Sequence, residues 1–108
     1  MSEYRVKEPW SATTGKLRDG KYMAEIIVSF HAKEECQRRG IAMEILISLI
    51  NNPQQVLNEK ERRKAYQSKI EFDGRIYLVR AIVAEIVDKR IVVTVYRTSR
   101  IEKYWRPS

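Results

Sequence analysis

This chain has one cysteine, one histidine, four glycines and three prolines in 108 residues, and each shortage removes a class of function. A lone Cys36 cannot form an intrachain disulfide; it reads as a small buried hydrophobe in a reducing compartment. One histidine, one cysteine and scattered carboxylates make no recognisable ligand spacing, so metal catalysis is not expected and no cofactor is assigned. The glycines stand apart at Gly15, Gly20, Gly40 and Gly74. That leaves no glycine-rich phosphate loop and sets aside nucleotide hydrolases and dinucleotide enzymes. No apolar run approaches the roughly twenty residues of a membrane span. Residues 1–22 also lack the apolar core of a signal peptide, so the expectation is a cytoplasmic protein with no membrane partner.

Positive charge is what the chain has in excess. Lys and Arg number 21 against 14 Asp and Glu, a net charge of +7 and a pI near 9.7. This balance favours polyanionic partners such as nucleic acid or an acidic protein. The excess gathers at the end of the chain, where Lys89, Arg90, Arg97, Arg100, Lys103 and Arg106 are opposed by Glu102 alone. The hydrophobic fraction of 44% is enough for the core of one domain.

Residues 1–22 show no sustained periodicity and read as an N-terminal extension; residues 23–108 read as the single domain. Ala24 to Phe30 is β-branched enough for a strand. Ser29 is a candidate N-cap for a helix through Arg39, with Gly40 as the residue that ends it. A second helix is expected from about Ala42 to Ile50, where Ile41, Ile45, Leu46, Leu49 and Ile50 share a face, and Asn51-Asn52-Pro53 stops it. Three strands follow, Lys64 to Phe72, Arg75 to Glu85 and Arg90 to Thr98. Asp73-Gly74 turns the first pair and Val87-Asp88-Lys89 the second. The expected fold class is α+β, two early helices packed on a curved antiparallel sheet.

Alternation in the last strand assigns Ile91, Val93 and Val95 to the core and Val92, Thr94, Tyr96 and Thr98 to the opposite face. Arg80 from the middle strand and Lys69 or Gln67 from the first can join that second face. Thr, Tyr, Arg and Lys together suit a phosphodiester, although Thr and Tyr are also simply good strand formers. His31 opens the basic stretch His31 to Ile41. Cleavage of RNA by the ribose 2′-OH needs a base, an acid for the leaving oxygen and fixed cations, and an imidazole titrates in the right range for the proton transfers. A lone histidine at a helix start more often bonds a local carbonyl than acts in catalysis. Tyr104 and Trp105, between Lys103 and Arg106, can stack on bases or pack back as a C-terminal staple.

His31-Ala32-x-Glu34, then Arg39-Gly40-Ile41, a helix ending at Asn52-Pro53, Val92-Val93-Thr94-Val95-Tyr96 and a closing Lys103-Tyr104 resemble a family of small bacterial domains of unknown function. That family is similar in layout to BrnT and more distantly to RelE-type ribonuclease toxins. The resemblance covers about Ala24 to Tyr104. It implies a barnase-like or RelE-like fold and metal-independent RNA cleavage held in check by a cognate, acidic antitoxin. It points to His31, Arg39, Thr94 and Tyr96, to which the strand reading adds Arg80 and Lys69. The expected catalytic set is His31 in proton transfer, Arg80 at the phosphorane with Lys69, and Tyr96 orienting substrate. Arg39, Lys69, Thr94, Lys103 and Tyr104 are the expected RNA contacts. The chain departs from the pattern at Glu35, where the usual signature has arginine. The alternative function is a noncatalytic RNA-binding or protein-interaction domain.

Overall fold

The computed structural model describes residues 3–5 and 25–107. Its strands are β1 (Glu3–Arg5), β2 (Glu25–Ser29), β3 (Gln55–Asn58), β4 (Arg63–Phe72), β5 (Arg75–Ile86) and β6 (Lys89–Thr98). Its helices are α1 (Phe30–Arg38), α2 (Met43–Asn51) and the single turn α3 (Ile101–Tyr104). The strands form one sheet in the order β1-β2-β6-β5-β4-β3. No helix among the described residues is long and apolar enough to cross a membrane.

The local signals act as expected. Ser29 caps α1, its Oγ accepting from the Ala32 N–H at 3.0 Å and donating to the Val93 carbonyl at 3.1 Å. α1 ends as glycine permits: Gly40 takes φ +67°, and the Ile41 N–H reaches back to the Cys36 carbonyl at 2.9 Å. This satisfies carbonyls the helix would otherwise leave open. Asp73 and Gly74 both take positive φ, 51° and 83°, the geometry of a tight hairpin turn. The C-terminal end of α2 is closed from the sheet, by Arg90 donating to the Ile50 carbonyl at 3.2 Å and to Asn51 Oδ1 at 3.4 Å. A cation at that end also suits the helix dipole.

The core lies between the helices and one side of the sheet. Ala32 and Cys36 of α1, Ile41, and Leu46, Ile47, Leu49 and Ile50 of α2 meet Ile26, Val28, Tyr66, Val79, Ala81, Val83, Val92 and Val95. Each buried aliphatic side chain contributes about 1.5–3 kcal/mol of transfer free energy. Burial pushes the Cys36 thiol up to about 11, with the Glu35 charge adding to it, so the thiol is held protonated.

Three expectations need correction. The sheet is mixed, because β2 pairs in parallel with β6, Ile26 beside Arg90 and Val28 beside Val92. Ile26, Ile27 and Val28 are all buried; an apolar run without alternation fits a strand covered on both faces. Secondly, β6 carries a bulge: Ile82 faces Thr94 while Val83 faces Val92, so Val93 has no partner. The extra residue shifts the alternation, which puts Val92 and Val95 in the core and moves Ile91 to the face of Thr94 and Tyr96. Thirdly, Gln55–Asn58 is a strand the sequence did not announce, pairing antiparallel with β4. Within the expected N-terminal extension, Glu3–Arg5 pairs with β2; the rest of it lies outside the described residues.

Ser29→Ala removes a helix cap and a tie to β6 together. We expect a loss of about 1–2 kcal/mol, read from the urea midpoint at unchanged slope.

Candidate functional site

Four polar residues stand side by side across four strands on the side of the sheet away from the helices. Gln55 of β3 is opposite Gln67 of β4, Gln67 opposite Arg80 of β5, and Arg80 opposite Tyr96 of β6. Each is bonded to the next. Gln67 Nε2 donates to Gln55 Oε1 at 2.8 Å, Arg80 Nε to Gln67 Oε1 at 2.7 Å, and Arg80 Nη1 to Tyr96 Oη at 2.7 Å. Arg80 Nη2 completes the set with Glu59 Oε2 at 3.1 Å. Gln67 is 0% exposed and Arg80 4%. A buried guanidinium is tolerable only when its charge is paired and its donors are used, and all three nitrogens are.

The C-terminal segment closes over this row. Tyr104 lays its ring over the Arg80 guanidinium, 4.3 Å from Cζ to the ring centre, and meets Tyr96 edge-on at 6.2 Å. Its carbonyl accepts from Gln67 Nε2 at 3.3 Å. Gln55 grips the next residues with both ends of its amide, Nε2 donating to the Arg106 carbonyl and Oε1 accepting from the Arg106 N–H at 3.2 Å. Lys69 Nζ sits 4.1 Å from the Trp105 ring, and Lys103 Nζ 5.3 Å from the ring of Tyr104. The aromatic tail is therefore a staple. The two phenols are pushed apart: burial raises Tyr96, whereas a hydrogen bond from Tyr96, with the charges of Lys103 and Arg80, lowers Tyr104.

His31 reaches the same face from the first turn of α1, its Nε2 3.3 Å from Thr94 Oγ1. Thr94 and Tyr96 are two residues apart on one face of β6, roughly 7 Å along the strand. One turn beyond His31, Glu35 Oε1 accepts from Arg39 Nε at 2.8 Å and from Arg38 Nη2 at 3.1 Å. The Arg39 hydrogen bond, helped by the charges of Arg38, Arg39 and His31, holds the Glu35 carboxyl below its usual range.

Of the residues singled out from sequence, Arg80, Tyr96, Tyr104, Lys69 and Lys103 thus gather around one row, and His31 with Thr94 stands beside it. Arg39 is engaged with Glu35 two turns along α1 from His31. Gln55 and Glu59 were missed. Both belong to the unannounced β3 and the turn after it, and only cross-strand register connects them to Arg80. A cavity of about 410 Å³ lies elsewhere, between α2 and β4, floored by Ile45, Leu49 and Ile70; of the singled-out residues only Lys69 lines it. Its position on the helix side and its apolar floor give it no part in the chemistry of the row.

Arg80→Ala strands the Gln67 carbonyl oxygen and the Glu59 carboxylate. We expect it to destabilise the fold by about 2–3 kcal/mol in chemical denaturation, the lower end reflecting the partial exposure of Glu59. Glu35 sets an acid dependence. Its folded pKa is depressed, so between the folded and unfolded values the unfolded chain binds the extra proton. Its stabilising contribution is present above the unfolded value, near pH 4.3, and is lost as pH falls through the folded value. Thermal melts of Glu35→Gln between pH 7 and pH 3 are expected to show a flatter acid limb than those of the native protein.

No curated protein and no solved structure matches the chain. A family model does match, over residues 28–97. That stretch runs from the end of β2 to the end of β6 and holds His31, Gln55, Gln67, Arg80, Thr94 and Tyr96, stopping short of Tyr104. Since it covers well over half the chain, the protein belongs to the family of domain of unknown function DUF4258.

Proposed function

We propose that this protein is a small RNase-like toxin, a metal-independent endoribonuclease of the RelE and BrnT kind that acts on RNA in the cytoplasm. The observation that carries the reading is the contact of His31 Nε2 with Thr94 Oγ1 at 3.3 Å. It sets the chain's only imidazole at the rim of the face that holds Tyr96, Arg80 and Tyr104. The order of elements supports the RelE-like arrangement, with α1 and α2 preceding the antiparallel strands β4 to β6. The net charge of +7 suits both RNA and an acidic antitoxin that covers the same face.

In this reading the scissile phosphate lies over Thr94 and Tyr96. His31 takes the proton of the ribose 2′-OH, the 2′ oxygen bonds to phosphorus, and the bond from phosphorus to the 5′ oxygen breaks. A phenol returns a proton to that oxygen, leaving a 2′,3′-cyclic phosphate and a 5′-OH. Tyr104 is the phenol whose environment eases proton loss. Arg80, with every nitrogen engaged, acts through Tyr96 and Tyr104 as a positioning charge, while Lys69 and Lys103 supply exposed cations.

A second reading, a noncatalytic RNA-binding domain, is favoured by the way Arg80 is committed to protein partners and by Glu35 in place of the usual arginine.

The test compares native protein with His31→Ala and Tyr96→Phe by induced expression and by incubation of purified protein with single-stranded RNA in chelator. Growth arrest and cyclic-phosphate products are expected from the native chain, with cleavage falling by about 10²–10⁴ in His31→Ala at unchanged RNA affinity. Intact RNA and equal growth at equal soluble protein would leave the binding-domain reading.

A further inference from the structure

The turn end of the β4–β5 hairpin carries a group of side chains that the candidate site does not use. Phe72, Tyr77 and Arg97 share the helix side of the sheet, with Phe72 packed against the edge of the core. The Arg97 guanidinium is 4.4 Å from the Phe72 ring centre and 4.8 Å from that of Tyr77. Arg75 lies 5.5 Å from the Tyr77 ring, and the two rings meet edge-to-face at 5.8 Å and 80°. Neither arginine forms a salt bridge among the described residues.

We infer that Arg75 and Arg97, held on Tyr77 and Phe72, form a second RNA contact that takes a backbone phosphate of the strand entering the candidate site. The inference rests on the RNA part of the reading above. A guanidinium held against an aromatic ring keeps N–H groups for other partners, and its planar fork matches phosphate oxygens two at a time. Two such cations beside one ring, neither in salt-bridge contact with a carboxylate among the described residues, make a candidate anion site.

Position ties this group to the candidate site. Arg97 follows Tyr96 directly, so one step along β6 carries the chain from one face to the other. Register between β5 and β6 starts at Leu78 and Thr98, which leaves Arg75 to Tyr77 projecting past the end of β6. A strand of RNA lying over Tyr96 can leave the sheet at this notch, beside Thr98 and Arg100, and meet Arg97 and Arg75. The rings are engaged by the guanidiniums and by each other, so they orient the cations, and continuity with the face of Tyr96 favours RNA over an acidic peptide.

The experiment measures binding of a labelled single-stranded RNA at several salt concentrations, in the His31→Ala background so that the RNA stays intact. Arg75→Gln and Arg97→Gln are each expected to weaken binding about threefold to tenfold and to reduce the salt slope by about 0.7. Arg97→Lys keeps the slope and still loses affinity, because the charge survives and the fork does not. Arg75 is exposed, so its variant reports even where Arg97→Gln fails to fold. Unchanged affinity and slope in both glutamine variants would overturn this inference alone, leaving the His31 reading to its own test. Loss of binding to an acidic peptide with RNA binding intact would overturn it in favour of a protein surface. If the parent protein binds no RNA at all, this inference and the function proposed above fall together.

Discussion

A guanidinium carried into the interior of a β-sheet must find a partner for each of its nitrogens, and Arg80 organises the far side of this protein around that need. Its three partners come from three places: Gln67 on one neighbouring strand, Tyr96 on the other, and Glu59 on the turn between β3 and β4. The demand propagates. Gln67, fully buried, needs Gln55, and Gln55 needs the backbone of Arg106. Because side chains alternate along a strand, a one-residue slip of β4 or β6 would turn Gln67 or Tyr96 to the wrong face and leave the cation alone. The row therefore fixes register across β3 to β6, a specificity that a purely apolar face does not provide so sharply.

The two sides of the sheet divide the labour. The helix side supplies the burial that holds the domain together, through α1, α2 and the valines of β5 and β6. The far side carries the groups with chemistry in them, an imidazole at the rim, two phenols with opposed acidities and a paired buried cation. Apolar burial and polar pairing thus lie on opposite sides of the sheet, and both contribute to stability. Ser29 belongs to both, since it caps the helix that presents His31 and ties that helix to β6.

How much of this was legible in the sequence follows the range of the interaction concerned. Ser29, Gly40 and the Asp73-Gly74 turn act within a few residues, and each stands where local chemistry places it. Strict alternation along the last strand identified Thr94 and Tyr96 correctly because both lie after the bulge; it misassigned Ile91, which lies before it. Nothing in the side chains around the bulge announces an unpaired Val93, since Ile91, Val92, Val93 and Val95 are all apolar and β-branched. The parallel pairing of β2 with β6 joins residues from distant parts of the chain, Ile26 with Arg90, and leaves no local mark. Gln55 and Glu59 are unreadable as site residues until β3 is placed beside β4. His31 was legible for a simpler reason, being the only imidazole in the chain.

The grip of Gln55 on Arg106 has a consequence for motion. A side-chain amide there offers a donor and an acceptor to a single residue, as a neighbouring strand would, but it does so at one point and without a ladder behind it. Detaching the tail costs a handful of bonds and leaves the strand pairing of β3 to β6 untouched, so the domain can open there without unfolding. Opening of that kind would admit water to Arg80 and Gln67, the most deeply enclosed polar side chains of the far side. The protein thus keeps its buried cation behind a cover that two glutamines, Gln55 and Gln67, fasten by its backbone.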